Sequence, residues 1–476
     1  MKACLVSFYS RMDEYPTRFS LSTLRLAGHA AAQEDLSGLE LKVLPLKLDE
    51  DPHTLASTIL QRDFDIIGLP SYMWNSSKSR MLAHELKARD PAVRIITGGP
   101  HTETFDHENW PEGTLFVLGE GEAPFHWALK ETLEGRVFSE GNLHQATYLR
   151  GGDRSKTHKH IARELEGGIP LYSDRFMEVF EDPKSMETSF SWHDTAVSCP
   201  YTCGYCGHKT RPNVALRPDR LTEEEIRMIG KRGFESVFII DPILGGLPGR
   251  DERILGWYRS HAPDTRISAY YRPEYFTDAS IRALAASNIE ELLIGLQSTN
   301  PEVPRWLRSN NLSKVNRYLP QLSQSAIPSR IELITGLPGD TPQGQRESLR
   351  FVVEEIEPSS IWSYHLTVIP GTLLHRILDA DKAGAALWVH ADKERSRATE
   401  SSSYSAQELD EMLIYAGAVT SLYNTLQERT GRHTGRTLTE LEALIRPVLS
   451  DGDPEVIDAF RRSDMIRSKR YWDAVV

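Results

Sequence analysis

The stretch Val-Ser-Cys-Pro-Tyr-Thr-Cys-Gly-Tyr-Cys-Gly-His, residues 197–208, contains three of the four cysteines of the chain. Cys199, Cys203 and Cys206 follow the spacing C-x3-C-x2-C, whereas the fourth cysteine, Cys4, lies near the first residue. Thiolates from one short loop can hold three irons of a cubane iron–sulfur cluster, which leaves the fourth iron open to another ligand. The loop therefore predicts a metal centre with Cys199, Cys203 and Cys206 as its ligands.

Two other interpretations of clustered cysteines compete with this one. Zinc also binds clustered thiolates and takes four ligands, so His208 or His193 could complete a structural zinc site. A disulfide framework is disfavoured, because the loop leaves one thiol unpaired and the chain is large and poor in cysteine. Reactive thiolates suit a reducing compartment. On spacing alone, both iron and zinc stay open.

The composition is that of an ordinary globular protein of 476 residues, long enough for roughly two to four domains. A net charge of −12 argues against broad binding to nucleic acid or to an acidic membrane, because both attract basic surfaces. No apolar run approaches the roughly 20 residues that span a bilayer, and the start of the chain predicts a β-strand rather than a signal peptide. We therefore expect a cytoplasmic protein with no nucleic-acid or membrane partner.

The first third of the sequence alternates short apolar strands with helical segments. This alternation predicts an α/β fold with a doubly wound parallel sheet, in which ligands bind outside the carboxyl ends of the strands. Three predicted strands end in unusual loops: Pro-Ser-Tyr-Met-Trp-Asn at 70–75, Gly-Gly-Pro-His at 98–101 and Gly-Glu-Gly-Glu at 119–122. Glycines let a backbone approach a large flat ligand closely. Because no G-x-G-x-x-G sequence opens the first helix, a dinucleotide site is disfavoured.

The order and spacing of these loops resemble the cobalamin-binding domain that precedes many radical S-adenosylmethionine (SAM) enzymes, over about residues 1–135. The Asp-x-His-x-x-Gly motif of other cobalamin domains is absent. The resemblance therefore implies cobalamin, used as methylcobalamin, with its base displaced and no protein histidine on cobalt. It assigns cobalamin contacts to Tyr72, Trp74, Asn75, Gly98, Gly99, Pro100, His101, Gly119, Glu120, Gly121 and Glu122. Tyr72, Trp74 or Asn75 would lie below cobalt, although Tyr72 and Trp74 could also be packing aromatics at a strand end.

A second alternation of strands and helices begins near residue 194. Strands are predicted at 195–198, 236–240, 266–270, 291–296, 329–335 and 361–368, with the cysteine loop directly after the first. This series predicts a partial (β/α)6 barrel with its chemistry at the carboxyl ends of the strands. Thr222 is the predicted N-cap of a helix at 221–231, followed by Glu225 as in a capping box.

Three later segments make the assignment more specific: Gly-Leu-Gln-Ser-Thr-Asn-Pro-Glu at 295–302, Gly-Leu-Pro-Gly-Asp-Thr at 336–341 and Pro-Gly-Thr at 370–372. With the cysteine loop, their order resembles radical SAM proteins of the coproporphyrinogen dehydrogenase type, which disfavours zinc. The resemblance implies a 4Fe–4S cluster whose open iron binds the amine and carboxylate of SAM. It assigns SAM contacts to Tyr205, Arg272, Gln297, Ser298, Leu337 and Pro338. Arg272 could instead form a surface ion pair, and the segment 304–308 is bulkier than in relatives.

These assignments predict a cobalamin-binding domain at 1–135, a connector at 136–190, a radical SAM barrel at 191–380 and a mostly helical cap at 381–476. The resemblance implies an enzyme that methylates an unactivated carbon of a small-molecule or peptide substrate through a 5′-deoxyadenosyl radical. Its electron donor would be a flavodoxin or ferredoxin. The alternatives are a radical rearrangement or cyclisation with the same cofactors, methyl transfer without hydrogen abstraction, and a cofactor sensor. We expect the substrate between cluster and cobalt, and the sequence identifies no catalytic residue.

Overall fold

The structure is a computed structural model that describes residues 1–10, 17–103, 107–158, 160–161, 165, 168–181, 188–208, 213–308, 310–379, 387–392, 396–430 and 435–475. The chain forms two compact units. Unit 1 contains Met1–Ala196, Ala215–Phe238 and Ser260–Thr265. Unit 2 contains Val197–Val214, Ile239–Arg259 and Arg266–Val476.

Unit 1 is built around a six-stranded sheet with the order β2–β1–β3–β4–β5–β6. Up to residue 193 its strands and α-helices are β1 (Lys2–Tyr9), α1 (Leu21–Ala32), β2 (Glu40–Lys47), α2 (Pro52–Leu60), β3 (Ile66–Pro70), α3 (Ser76–Arg89), β4 (Arg94–Gly98), β5 (Leu115–Val117), α4 (Glu122–Leu133), β6 (Thr147–Leu149), α5 (Asp174–Met177) and β7 (Ser191–His193). Strands β1 to β5 pair in parallel, whereas β6 joins the edge antiparallel to β5. The predicted doubly wound parallel sheet is confirmed, and the segment predicted as a connector adds the antiparallel edge strand.

The strands of this sheet carry continuous apolar runs because helices cover the sheet. Ile66 and Ile67 of β3 pair with β1, and both side chains are almost inaccessible to solvent. The hydrophobic core joins the strands to α2 and α3, with Leu55 and Leu82 among its fully buried members. This core holds the carboxyl ends of β3, β4 and β5 side by side, where the predicted cobalamin loops follow.

A second six-stranded sheet has the order β14–β13–β12–β11–β10–β7. The elements from residue 196 onward are β8 (Ala196–Val197), β9 (Ala215–Leu216), α6 (Asp219–Arg232), β10 (Ser236–Ile239), α7 (Arg250–His261), β11 (Arg266–Tyr271), α8 (Asp278–Ala285), β12 (Ile289–Gln297), α9 (Arg305–Arg308), α10 (Leu312–Gln324), β13 (Ser329–Thr335), α11 (Pro342–Phe351), β14 (Ser360–His365), α12 (Leu373–Asp379), β15 (Val389–Ala391), β16 (Ala398–Ser401), α13 (Ala406–Thr430), α14 (Leu438–Asp451), α15 (Pro454–Arg461) and α16 (Met465–Val475). The strands of this sheet neighbour one another in chain order, and β11 to β14 pair in parallel. The predicted partial (β/α)6 barrel is confirmed.

The prediction of the first barrel strand at 195–198 is wrong. The first strand of the second sheet is β7, and β8 instead pairs with β9 in a two-stranded ribbon. Asp194, between β7 and β8, is buried in an ion pair. Ser198 then has a left-handed φ of 72°, which ends the extended chain just before Cys199.

The prediction of Thr222 as an N-cap is also wrong. The helix α6 begins earlier, at Asp219, directly after Pro218. Thr222 therefore lies inside the helix and is fully buried. Glu225 does not complete a capping box, because its carboxylate pairs with Arg25.

The C-terminal region is helical, as predicted. Helices α13 and α15 approach so closely that a Cβ atom on Gly417 would lie within 3.0 Å of the Phe460 carbonyl oxygen. In α16, Trp472 is fully buried and donates its indole N–H to Ser421 Oγ at 2.9 Å. Within the described part of the chain, no helix has both the length and the apolar character needed to cross a bilayer.

Candidate functional site

The loops that follow β3 and β4 are joined by backbone hydrogen bonds. Ser71 donates its N–H to Gly98 O at 2.7 Å, and His101 donates its N–H to Ser71 O at 3.1 Å. Gly99 has φ 128°, and a Cβ atom there would lie 2.5 Å from Ser71 O. Only glycine lets the two loops approach this closely. The predicted cobalamin loop at 98–101 is therefore fixed to its neighbour, with Pro100 exposed to solvent.

The aromatic pair after β3 leaves one large ring open to solvent. The rings of Tyr72 and Trp74 stack with centroids 4.7 Å apart, and Trp74 is 70% exposed. Tyr72 donates its hydroxyl to Ser22 Oγ at 2.9 Å. Asn75 is buried, and its Oδ1 accepts the N–H of Tyr72 at 2.8 Å. Of the three candidates for the position below cobalt, Trp74 has a ring that is largely exposed to solvent, whereas Asn75 shapes the loop.

The loop at 119–122 connects β5 to α4. Gly119 has φ 84°, and Glu120 donates its N–H to His160 O at 3.0 Å. A Cβ atom on Gly121 would lie 3.1 Å from the side chain of Leu26, so the loop packs directly against α1. These contacts give the loop a defined path along the edge of the sheet.

The structure brings the three predicted cobalamin loops to one rim, because β3, β4 and β5 are adjacent and parallel. Glu122 lies in the first turn of α4, where the helix dipole favours a carboxylate. Partial burial lowers the pKa of His101, which favours the neutral imidazole. Glycine backbones beside the exposed indole of Trp74 fit a large flat ligand such as a corrin ring. The individual cobalamin contacts stay a prediction.

In unit 2, the cysteine loop is held by backbone contacts at Gly204. Gly204 donates its N–H to Trp306 O at 2.9 Å, and Leu374 donates its N–H to Gly204 O at 2.8 Å. A Cβ atom on Gly204 would lie within 3.0 Å of the Trp306 indole. The segment 304–308, which is bulkier than in relatives, therefore supports the cysteine loop through Trp306. The spacing of these residues gives no signal of this contact.

The three cysteines of the loop form no disulfide and are partly buried, which fits ligands that bind a cluster from one side. Burial raises the pKa of the Cys206 thiol to about 11, so metal binding has to displace its proton. Burial likewise raises the pKa of Cys4, which lies fully buried in β1.

The two histidines considered as a fourth zinc ligand have other contacts in the structure. His193 is fully buried, with Nε2 3.2 Å from Glu225 Oε2, and His208 donates its backbone N–H to Cys206 Sγ at 3.5 Å. Among the residues that the structure describes, no three His, Cys, Asp or Glu side chains gather as ligands of a single ion. That finding includes the three loop thiols, so Cys199, Cys203 and Cys206 as cluster ligands stay a prediction from the spacing of the loop.

Arg272 lies beside the cysteine loop and is held on several sides. Its Nε and Nη2 donate to the carboxylate of Glu274 at 3.0 and 3.3 Å, and its Nη1 donates to Cys203 Sγ at 3.7 Å. The guanidinium lies 3.8 Å from the ring centroid of Tyr201. Burial alone would lower the pKa of Arg272, but Glu274 and Cys203 raise it overall. Glu274 thus already binds Nε and Nη2 of Arg272, the pair of donors that a bidentate contact with the SAM carboxylate would use. The contact of Arg272 with SAM stays a prediction.

Gln297 and Ser298 end β12, and the backbone is strained there. Gln297 has a left-handed φ of 60°, at a shift of register between β12 and β13. Its Oε1 is buried and has no hydrogen-bond partner among the described residues. Ser298 is buried, and its Oγ accepts the N–H of Asn300 at 3.0 Å. A buried amide oxygen that lacks a donor fits a site for a ligand ammonium, such as that of SAM.

The remaining predicted SAM residues belong to the core of unit 2. Leu337 is fully buried and Pro338 is buried beside it. Tyr205 and Trp306 pack against the same core, which joins the cysteine loop to the loop after β13. Burial raises the pKa of Tyr205 well above its usual value.

Unit 1 contains a buried charge cluster that the sequence did not predict, formed by Arg25, His193, Asp194, Arg217 and Glu225. Arg25 donates to Asp194 Oδ1 at 2.6 Å and to Glu225 Oε2 at 2.9 Å. Arg217 donates to Asp194 Oδ2 at 2.8 Å. The cluster connects α1 with α6 and with the end of β7.

Two family models match the chain. The B12 binding domain matches residues 21–128, and the radical SAM superfamily matches residues 195–352. The chain is a radical SAM protein with a B12-binding domain. The family predicted from the rim loops and the cysteine motif is confirmed, together with the cofactor set of cobalamin, SAM and a 4Fe–4S cluster.

Curated relatives of this radical SAM protein include two methyltransferases. The 2-(S-pantetheinyl)-carbapenam-3-carboxylate methyltransferase of Streptantibioticus cattleyicolor is 26% identical over 329 residues, which are 65% of this chain and 47% of the relative. The cobalamin-dependent radical SAM methyltransferase TokK of Streptomyces tokunonensis is 23% identical over 394 residues, which are 77% of this chain and 56% of TokK. The chain spans about half the length of these relatives.

A solved structure shares the fold along the whole chain. The radical SAM methyltransferase TsrM from Kitasatospora setae, with cobalamin and an iron–sulfur cluster bound, aligns with a TM-score of 0.63 at 14% identity. The alignment covers 99% of both chains. A second TsrM structure, with tryptophan substrate and a SAM analogue bound, aligns with a TM-score of 0.62 at 16% identity, over 83% of this chain and 79% of TsrM.

Proposed function

We propose that this protein is a cobalamin-dependent radical SAM enzyme that methylates a carbon atom of a small-molecule or peptide substrate. The observation that carries the proposal is a three-cysteine loop in a radical SAM domain, in a chain that also has a B12-binding domain. The names of both curated relatives support methyl transfer. When bound, the cluster and SAM supply a 5′-deoxyadenosyl radical, and cobalamin supplies the methyl group.

The residues of unit 2 hold and orient the cluster and SAM in this proposal. Cys199, Cys203 and Cys206 ligate the cluster. Gln297 offers its unpartnered Oε1 to the ammonium of SAM, and the buried hydroxyl of Ser298 keeps the strained turn in place.

The proposal also needs apolar surface for two of the ligands. In unit 2 it is supplied by Leu337 and Pro338, and in unit 1 by Trp74. Leu337 belongs to the apolar core of unit 2 and Pro338 is buried next to it, and both would contact the adenine of SAM. The exposed indole of Trp74 would hold the corrin ring, and the bound cofactor would supply the methyl group.

A small-molecule substrate is the form of the proposal that the relatives support best. One relative is named for a carbapenam carboxylate, and TsrM was solved with tryptophan. A one-electron donor of the flavodoxin or ferredoxin class has to reduce the cluster. We retain the predicted cytoplasmic location, because an open cluster needs reducing surroundings.

The first experiment is anaerobic reconstitution of the full chain with iron, sulfide and cobalamin. Cys199→Ala, Cys203→Ala and Cys206→Ala are compared with Cys4→Ala, which removes a buried thiol outside the loop. We expect the loop variants to lose the cluster absorption and the formation of 5′-deoxyadenosine from SAM. The Cys4 variant should keep both.

If Cys203→Ala binds as much iron as the wild-type chain, the assignment of the cluster ligands is refuted. Zinc instead of iron in the wild-type chain would refute it as well. A spectrum that shows no cobalamin bound after gel filtration would refute the cobalamin part. With candidate substrates, a mass gain of one CH2 unit supports methylation. A product of unchanged mass would instead favour a rearrangement, and methylation without 5′-deoxyadenosine would favour transfer without hydrogen abstraction.

A further inference from the structure

Arg272 contacts the sulfur of a predicted cluster ligand. Its Nη1 lies 3.7 Å from Cys203 Sγ, within the range of an N–H···S hydrogen bond. The side chain is mostly buried, at 12% exposure, so water screens this contact weakly. A cationic donor on a ligating thiolate is an interaction by which proteins adjust the reduction potential of an iron–sulfur cluster.

The surroundings of Arg272 fix its position rather than leave it free for a mobile ligand. Glu274 binds Nε and Nη2 together, and Tyr201 lies 3.8 Å from the guanidinium. Glu274 is itself anchored, since its Oε1 accepts the N–H of Asn311 at 2.7 Å. With Nε and Nη2 bound to Glu274, Nη1 is directed at Cys203.

We infer that Arg272 is a positioning residue that raises the reduction potential of the cluster through Cys203. Reduction by one electron adds a negative charge to the cluster and its thiolates. A fixed cation with an N–H on one of these sulfurs stabilises the reduced form more than the oxidised form, so it favours uptake of the electron from a low-potential donor. This inference rests on the cluster of the proposed function.

Glu274 acts in the opposite direction through its charge. Its carboxylate orients Arg272, but it also offsets part of the positive charge near Cys203. Removing Arg272 and removing the charge of Glu274 should therefore shift the potential in opposite directions. If the substitutions acted only by loosening the cysteine loop, the reduction potentials of the Arg272 and Glu274 variants would shift in the same direction.

The test is a reductive titration of the reconstituted full chain without SAM, followed by the electron paramagnetic resonance signal of the reduced cluster. At the solution potential where the wild-type cluster is half reduced, we expect the ratio of reduced to oxidised cluster in Arg272→Gln to fall at least tenfold. For a one-electron couple this is a downward shift of about 59 mV or more. In Glu274→Gln we expect the ratio to rise.

Arg266→Gln is the matched control. Arg266 begins β11, the strand that Arg272 follows, pairs with Glu290 at 2.7 Å and is 49% exposed, so its loss removes the same charge from the surface of the protein. Its midpoint potential should equal that of the wild-type chain. Iron per chain is measured for every variant, so that the potentials compare loaded clusters. If Arg272→Gln does not load, Glu274→Gln carries the test.

An Arg272→Gln cluster with full iron content and an unchanged potential would overturn the inference. So would an unchanged potential together with weaker binding of SAM, because Arg272 would then act as the SAM carboxylate contact instead. An unchanged or lower potential in Glu274→Gln would also overturn it. These outcomes leave the proposed function standing, whereas a wild-type chain that binds no iron would refute the proposed function itself.

Discussion

The buried charge cluster of unit 1 depends on Arg25. Arg25 donates four hydrogen bonds to Asp194 and Glu225, three of them to carboxylate oxygens. The substitution Arg25→Met keeps much of the side-chain volume and removes the cation. Asp194 then retains Arg217, whereas Glu225 retains the imidazole of His193 and one backbone N–H.

The cost of Arg25→Met follows from the burial of Glu225. Removing one partner of a buried ion pair costs about 3–5 kcal/mol, because the other charge stays out of water. Glu225 is fully buried and the side chain of Arg25 is 10% exposed, so solvent can replace little of the lost interaction. We therefore expect Arg25→Met to lower the free energy of unfolding of unit 1 around α6 by about 3–5 kcal/mol.

The cost should also depend on pH. Burial alone would raise the pKa of Glu225, but Arg25 and His193 hold it well below its usual value of 4.5. A depressed pKa means that the carboxylate stabilises the fold above about pH 4.5, and that this contribution is lost as the pH falls through the native pKa. Without Arg25 the pKa of Glu225 rises. As the pH falls, the carboxylate of Glu225 is therefore protonated in the folded variant while it is still ionised in the folded native protein. The difference in stability should therefore be largest near neutral pH and shrink toward about pH 4.

Hydrogen exchange of peptides from α6 measures this local opening directly. Arg62→Met is the matched control, since Arg62 pairs with Glu181 on the surface of the same unit at 32% exposure. Its loss should cost about 1 kcal/mol or less. A cost of under about 1 kcal/mol for Arg25→Met, or a larger cost that does not change with pH, would show that the cluster is not an ion-paired network.

Two further predictions concern the cofactor loops. Gly204→Ala places a Cβ atom within 3.0 Å of the Trp306 indole, so we expect iron per chain to fall at least about twofold with unchanged circular dichroism. Gly207→Ala meets its nearest neighbour at 3.9 Å and should load normally, and equal iron in both variants would contradict the supporting role of Trp306. Trp74→Ala should weaken cobalamin binding at least about tenfold, because covering ~60 Å² of apolar surface is worth about 1.5 kcal/mol. The control is Met81→Ala, which removes a side chain that is 51% exposed on α3. Both variants are titrated with cobalamin at equilibrium, and equal affinities of the two for cobalamin would refute the role of Trp74.

The fold could be predicted because its signals are local. The strand predicted at 329–335 is β13 with the same bounds, and the region predicted as a mostly helical cap contains the helices α13 to α16. Apolar runs of strand length between helical segments identify both sheets without knowledge of any contact. The cysteine spacing is also local, so the loop could be found from sequence alone.

Contacts between distant segments could not be predicted in the same way. Glu225 looked like the second half of a capping box behind Thr222, because the chain around it contains no sign of Arg25. In the sequence, Trp306 is only a residue bulkier than expected after the fourth barrel strand. In the structure its carbonyl oxygen accepts the N–H of Gly204. Arg272 was predicted as a SAM contact, and the hydrogen bonds to Glu274 and Cys203 appear only in three dimensions. Each case depends on which partner a charged or bulky residue meets, which sequence spacing does not encode.

The path of the cysteine loop does not depend on its sulfur atoms. Its backbone is held at Gly204 by Trp306 on one side and Leu374 on the other, at 2.9 and 2.8 Å. The two sulfur contacts given above are longer, at 3.5 and 3.7 Å, and such contacts contribute little to the fold. Replacing one cysteine by alanine should therefore leave the loop in place. Loss of iron in such a variant then reports a lost ligand rather than an unfolded loop, which is why the comparison with Cys4→Ala can decide whether these three thiols hold the metal.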